Sequence, residues 1–301
     1  MAFEELSRKL AGVVAITVTP FTEDGGIDEP SCSKLVDRLV SGGIPVVTPN
    51  GNTGEFYALT SAETRRAVDL TIEAAASRAA VVCGVGHDVV TATTAARYAR
   101  DAGADAIMVH QPVHPYVSLD GWVDYHRAIA DAVPELGVVL YVRNPRVGGA
   151  QLARLADASP NVVGVKYAVP DPVRFASVAA DAGADRFVWI AGLAERSAPG
   201  YFAVGASGFT SGLANVSAEI SLRMFASLSG GDYPAAMRDW QLIRPFEELR
   251  AASESANNVS VVKEALAQLG LCRRDVRPPS RPLGEAERTK VGEVLTSWGL
   301  R

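Results

Sequence analysis

The chain has 301 residues, 48% of them hydrophobic, and a formal net charge of -5 from 29 Lys plus Arg and 34 Asp plus Glu. That composition supplies one large core or two modest ones, and an acidic balance without a clustered basic face excludes a nucleic-acid footprint. No run of about 18 or more apolar residues could span a bilayer, and the first residues have no signal-like apolar stretch, so no membrane contact and a cytoplasmic location are expected.

Short apolar runs of strand length alternate with longer helical patterns. The predicted strands are 13–18, 45–48, 80–85, 106–110, 137–142, 162–168, 187–191 and 207–211. Between them, Thr60-Ser-Ala-Glu63 has capping-box spacing and Pro30 suits an early helical turn. Glycines in Ser41-Gly-Gly-Ile44, Ala102-Gly-Ala-Asp105 and Ala182-Gly-Ala-Asp185 close helices just before strands. Strand–helix alternation implies parallel strands joined by helical crossovers. Eight such units in roughly 220 residues fit an α/β fold of the (β/α)8 TIM barrel type, and no Gly-x-Gly-x-x-Gly follows the first strand to support a dinucleotide fold. The expected organisation is a catalytic barrel over residues 1–232 and a C-terminal helical extension over 233–301. That extension holds helices near 233–252, 260–269 and 284–298.

Three cysteines (Cys32, Cys83, Cys272) cannot all pair and have no metal-motif spacing; Cys83 lies in an apolar run and reads as a reduced core residue. Of five lysines, Lys9, Lys34, Lys263 and Lys290 fall in segments that read as amphipathic helices, where an ammonium reaches water. Lys166 instead sits inside Asn161-Val-Val-Gly-Val-Lys-Tyr-Ala-Val169, a buried-strand pattern. Burial disfavours the charged amine and leaves a nucleophile able to form a Schiff base; the alternative is a strand-end lysine that snorkels to solvent or pairs with a carboxylate. Period-two alternation puts Val162, Gly164, Lys166 and Ala168 on one face. Active-site groups of a barrel gather at the C-terminal ends of its strands.

Tyr141 ends the neighbouring fifth strand, where its phenol can donate and accept a proton. Arg143 and Arg146 follow and could read a carboxylate or simply pair with protein acids. The turn Asn50-Gly-Asn-Thr-Gly-Glu55 lets backbone N–H groups approach a carboxylate, with the Thr53 hydroxyl as a further donor. His110 and His114 could suggest zinc, but Pro112 and Pro115 argue for an extended loop and no third ligand is placed, so no metal is expected. Gly205-Ala-Ser-Gly-Phe-Thr-Ser-Gly212 covers the eighth strand, where its glycines could bind phosphate or open the barrel interior.

Together, Gly51-Asn-Thr-Gly-Glu-Phe56, Tyr141, Gly164-Val-Lys166 and Gly205-Ala-Ser-Gly208, in that order over most of the chain, resemble the dihydrodipicolinate synthase / N-acetylneuraminate lyase family of Schiff-base aldolases and dehydratases. The resemblance implies that Lys166 forms an imine with pyruvate or another 2-oxo acid while Tyr141 shuttles protons. It further implies that Asn52 and Thr53 hold the carboxylate and that Gly192 and Thr210 line the pocket. Arg146, five residues after Tyr141, has the family spacing for a second substrate's carboxylate, and His114 and Tyr116 stand near the loop tyrosine that the family lends to a neighbouring subunit. A homo-oligomer, tetramer or dimer, and no cofactor are implied as well.

This chain departs from the family pattern at Asn52, where a relay hydroxyl is usual, at Tyr141-Val-Arg-Asn-Pro145, and at His114. The expectation is therefore a metal-independent lyase or aldolase acting on a 2-oxo or sugar acid, and not a dihydrodipicolinate synthase proper. The alternatives are a keto-deoxy sugar acid dehydratase of the same family, of the 5-dehydro-4-deoxyglucarate dehydratase kind, and a non-catalytic barrel that binds such an acid.

Overall fold

A computed structural model describes residues 3–301. Eight strands, β1 (Val13–Ile16), β2 (Val46–Thr48), β3 (Ala80–Val85), β4 (Ala106–Val109), β5 (Gly137–Val142), β6 (Val162–Tyr167), β7 (Val188–Ala191) and β8 (Gly208–Ser211), close into a barrel in sequence order. Every neighbouring pair is parallel, β1 with β8 included. Helix α1 (Glu4–Leu10) precedes the barrel, and α2 (Glu29–Ser41), α3 (Ser61–Ala75), α4 (Val89–Ala102), α5 (Leu119–Asp131), α6 (Gly149–Ala158), α7 (Pro172–Ala182) and α8 (Ala194–Phe202) cross between strands. Helix α9 (Ala218–Ser229) follows β8, and α10 (Tyr233–Ser255), α11 (Asn258–Gln268) and α12 (Glu285–Ser297) form the C-terminal extension. The fold is thus the expected TIM barrel with added helices.

Local chemistry explains the boundaries. The Thr60 hydroxyl accepts from the Glu63 N–H while the Glu63 carboxylate accepts from the Thr60 N–H, a complete capping box at α3. Asp28 caps α2 with Pro30 in its first turn. Alternation along the strands separates two apolar layers. One, with Val14, Ile16, Val82, Met108 and Val139, fills the barrel interior above Leu6 and Leu10 of α1. The other, with Val13, Ala15, Ile107 and Leu140, packs outward against the helices.

Strand β6 breaks the simple alternation once. Its pairing with β5 shifts register between Val138 and Val139, which face Val162 and Gly164 and skip Val163. The bulge turns Val163 toward the interior cluster and Val162 toward the helices, so Val162 does not share the lysine's face as expected. Beyond it Gly164, Lys166 and Ala168 keep the inward face. At β8, a Cβ on Gly208 would lie 2.4 Å from the Leu10 carbonyl oxygen. That glycine serves close packing against the α1–β1 turn.

The loop after β7 leads into a buried acid. Glu195, in the first turn of α8 and 0% exposed, accepts hydrogen bonds from Ser211 of β8 and from Ser221 of α9, the latter at 2.7 Å. Desolvation, with the nearby Glu247 charge, pushes its carboxyl up to about 7. A folded-state pKa above the unfolded value of about 4.3 means stability fully present below the unfolded value and lost as pH rises toward the folded one. Glu195→Gln removes this dependence: its urea midpoint, relative to wild type, rises between pH 5 and pH 8, and a constant difference across that range would contradict the assignment.

Candidate active site

The C-terminal ends of the strands open into a cavity of about 820 Å³ that holds Lys166, Tyr141, Asn52, Thr53, Gly192 and Thr210 together. Tyr141 and Lys166 face each other directly across β5 and β6. The amine lies 4.4 Å from the centre of the tyrosine ring. Lys166 is 4% exposed, and no carboxylate pairs with it among the described residues. Desolvation alone brings its pKa down to about 8. Neutral amine is therefore present at physiological pH, as nucleophilic attack requires.

The Asn52 amide donates to the Tyr141 hydroxyl at 3.3 Å, and its own Oδ1 is buried without a partner. Burial pushes the Tyr141 phenol above its ordinary range, opposed by the Arg143 charge and by the Asn52 hydrogen bond. An amide there steadies the phenol oxygen but cannot pass a proton onward, as a hydroxyl would. Thr53 is buried, and its hydroxyl makes no hydrogen bond within the described residues. The turn that carries both residues needs Gly51: a Cβ there would lie 2.3 Å from Ile16 of β1. The Gly192 N–H is committed to the Tyr167 carbonyl at 2.7 Å, so it is not free to bind a ligand, though the residue lines the cavity. Thr210 donates to the Ala191 carbonyl at 3.5 Å.

Three expected site residues lie elsewhere. Arg146 does not line the cavity; its guanidinium donates to the Val117 carbonyl at 2.5 Å, held by the turn that Asn144 makes with the Arg146 N–H. His114 is exposed and accepts from the Tyr116 N–H at 3.1 Å, and Tyr116 is 87% exposed. Both project from the loop after β4, away from this chain's own amine. Arg143, two residues after Tyr141, lines the cavity in place of Arg146.

Phe56 and Tyr57 complete the cavity wall, with two imidazoles packed against them. Phe56 stacks between His110, at 4.4 Å, and His87, at 4.7 Å, and Tyr57 lies edge-on to both imidazoles. His110 is fully buried, donates to the Asn50 carbonyl at 2.8 Å, and is held down to about 3 by desolvation, so it is a neutral support packed edge-on to Tyr141. No group of three or more His, Cys, Asp or Glu among the described residues is arranged to hold a metal. All three cysteines are free, and Cys83 is buried.

The C-terminal extension supplies the far wall. Lys263 of α11, expected to reach water, is instead 0% exposed and contacts Glu55 at 2.5 Å and the Asp275 carbonyl at 2.7 Å. The Arg277 N–H donates to the other Glu55 oxygen at 2.7 Å. These bonds hold the turn bearing Asn52 and Thr53 from behind. Helix α10 breaks at Ala252, Ser253 and Glu254, and Arg250 before the break donates to Asn258 Oδ1 after it at 2.7 Å.

The Dihydrodipicolinate synthetase family profile matches residues 9–298. The chain belongs to this family. Its members are class I, aldolase-type lyases that need no metal. A 4-hydroxy-tetrahydrodipicolinate synthase of Phenylobacterium zucineum is 35% identical over 296 residues, covering 96% of this chain and 97% of that one. A dihydrodipicolinate synthase structure from Bacillus clausii is 40% identical, with a TM-score of 0.94 over 98% of this chain and 99% of the other. A prophage protein of the family from E. coli K12, in complex with pyruvate, is 25% identical, with a TM-score of 0.87 over 96% and 99% of the two chains.

Two measurements check the electrostatics. Modification of Lys166 by an amine-specific acylating reagent, followed by peptide mass, rises with pH and is half-maximal near pH 8, not near the ordinary lysine value of 10.5. Lys263→Met leaves Glu55 buried without its cation and lowers unfolding stability by about 3–5 kcal/mol, most of it restored by adding Glu55→Gln. Urea melts of the single and double variants test this, and equal losses in both would show that the ion pair is not the cause.

Proposed function

We propose that the protein is a Schiff-base lyase or aldolase that acts on pyruvate or a related 2-oxo acid through Lys166. The observation that carries this reading is a buried, unpaired amine facing a buried phenol across adjacent strands. The neutral amine adds to the keto carbon, and a proton passes from nitrogen to the resulting alkoxide to give the carbinolamine hydroxyl. Protonation of that hydroxyl lets water leave, giving a protonated imine. Tyr141, beside the amine, gives and takes these protons. The imine then accepts the electron pair of a bond broken at the adjacent carbon, or supplies an enamine that forms one. Thr53 and the Asn52–Thr53 turn receive the carboxylate, and Gly192 and Thr210 leave space for the substrate's body.

Two observations bear on the reaction that follows the imine. The curated relatives at 35% and 34% identity are named 4-hydroxy-tetrahydrodipicolinate synthases, so the comparisons lend no support to a reaction other than theirs. A different bond being made or broken is favoured by Asn52, an amide where a hydroxyl would extend the relay, and by an Arg146 turned away from the cavity. A dehydratase that expels a β-hydroxyl from the same imine is the second reading, favoured by that shortened relay. The exposed His114 and Tyr116 are available to a neighbouring copy, which accords with a homo-oligomer.

Incubation with pyruvate and borohydride adds the mass of the reduced adduct to the Lys166 peptide, and Lys166→Ala abolishes both labelling and turnover. Tyr141→Phe retains labelling at equilibrium but slows turnover by about 10²–10⁴-fold. An unlabelled Lys166 across a panel of 2-oxo acids would sink the reading. Product analysis separates the chemistries: a retro-aldol cleavage releases pyruvate, and a dehydration does not.

A further inference from the structure

The charges that line the cavity do not balance within the chain. Four arginines face it: Arg143, Arg196, Arg250 and Arg277. Arg250 is paired with Glu247 at 2.6 Å and Arg277 with Glu63 at 2.5 Å. Arg143 and Arg196 meet no carboxylate among the described residues. Of the lining acids, Glu55 is bound by Lys263 and Glu247 by Arg250, which leaves Glu254 at the break in α10, within ion-pair reach of neither free arginine. The two free guanidiniums flank the lysine strand: Arg143 follows β5, and Arg196 lies in the first turn of α8, after β7.

The start of α8 adds to the same field. Its N-cap is Leu193, which offers no side-chain acceptor, and Gly192, Leu193 and Ala194 all line the cavity. The uncapped first turn therefore presents its positive end to the ligand space. The acid of that turn, Glu195, points into the core onto Ser211 and Ser221 and does not compensate it from the cavity side. In the same space lies Lys166, a 4%-exposed polar group with no hydrogen-bond or ion-pair partner among the described residues, so the positive rim surrounds a site open to a ligand.

We propose that Arg143, Arg196 and the N-terminus of α8 form a second anion subsite, and that the substrate is a 2-oxo acid with another carboxylate at its far end. The inference rests on the Schiff-base reading, with Lys166 fixing the keto carbon and Thr53 the near carboxylate. A tail bearing only hydroxyls would leave two guanidiniums and a helix end without a countercharge. A second carboxylate matches the planar fork of each arginine. Arg146, engaged with Val117 outside the cavity, takes no part.

The test is borohydride trapping on Lys166 with probes matched in length: 2-oxoglutarate against 2-oxopentanoate, and 2-oxoadipate against 2-oxohexanoate. The better diacid reaches half-trapping at a concentration about ten-fold lower than its monoacid partner, and the advantage shrinks with added salt. In Arg143→Met and in Arg196→Met the ratio falls toward parity; in Arg146→Met it does not. Both substituted arginines are exposed, and monoacid trapping reports that each variant still folds. Equal trapping of diacid and monoacid by wild type, or an advantage lost only in Arg146→Met, overturns the subsite while the Schiff-base reading stands. No labelling by any of the four acids or by pyruvate overturns that reading instead.

Discussion

The site depends on one amine being denied both water and a countercharge. Moving a lysine's pKa from 10.5 to about 8 amounts to about 3 kcal/mol in favour of the neutral form. The ring of Tyr141, 4.4 Å away, pulls the other way, since an aromatic face favours a cation by about 0.5–2 kcal/mol. Desolvation wins because Lys166 stands on an inward-facing position of a closed barrel. Gly164 and Ala168 on the same face leave the lysine stem room without offering it an acceptor. Had one of the nearby acids faced this amine, the charge would have been held on it and the nucleophile lost.

The second buried lysine shows that contrast within one chain. Lys263 is more deeply buried than Lys166, at 0% against 4% exposed, yet it has a carboxylate at 2.5 Å and a carbonyl at 2.7 Å. Desolvation lowers its pKa and Glu55 opposes the change, and the Glu55 carboxylate and Asp275 carbonyl hold the side chain as a tether. A paired buried charge organises its neighbours, and an unpaired one reacts. Lys263 organises the turn that carries Asn52 and Thr53, and so the two lysines serve the same cavity from opposite sides.

The architecture was legible because its signals are local and periodic. Apolar runs located all eight strands to within two residues at each end, and Thr60, Glu63, Pro30 and the helix-closing glycines took the roles their chemistry suggested. Lys166 and Tyr141 could be paired from position alone, since strand ends of a barrel converge. The reading failed where a side chain's direction depends on contacts remote in sequence. The bulge at Val163 reversed one strand face. Arg146 turned to Val117 because Asn144 bent its backbone, and Lys263 looked amphipathic because its partner, Glu55, lies 208 positions away. Spacing after a strand fixes how far a loop residue can reach, not which way it points.

The C-terminal helices supply the far side of the compartment that holds the amine. A barrel mouth alone is open to solvent, and the break between α10 and α11 places Glu254, Ser255 and Ala256 along the cavity wall. Three successive non-glycine residues there, Ser253, Glu254 and Ser255, adopt positive φ values of 51°, 57° and 69°. That is a left-handed run costing roughly 1–2 kcal/mol per residue, and it persists only where the surroundings impose it. The constraint comes from Arg250, which ties Glu247 on one side of the break to Asn258 on the other and occupies the space that any side chain at Gly212 would need. The strained turn and the buried ion pair at Glu55 therefore fix two walls of the cavity that holds Lys166.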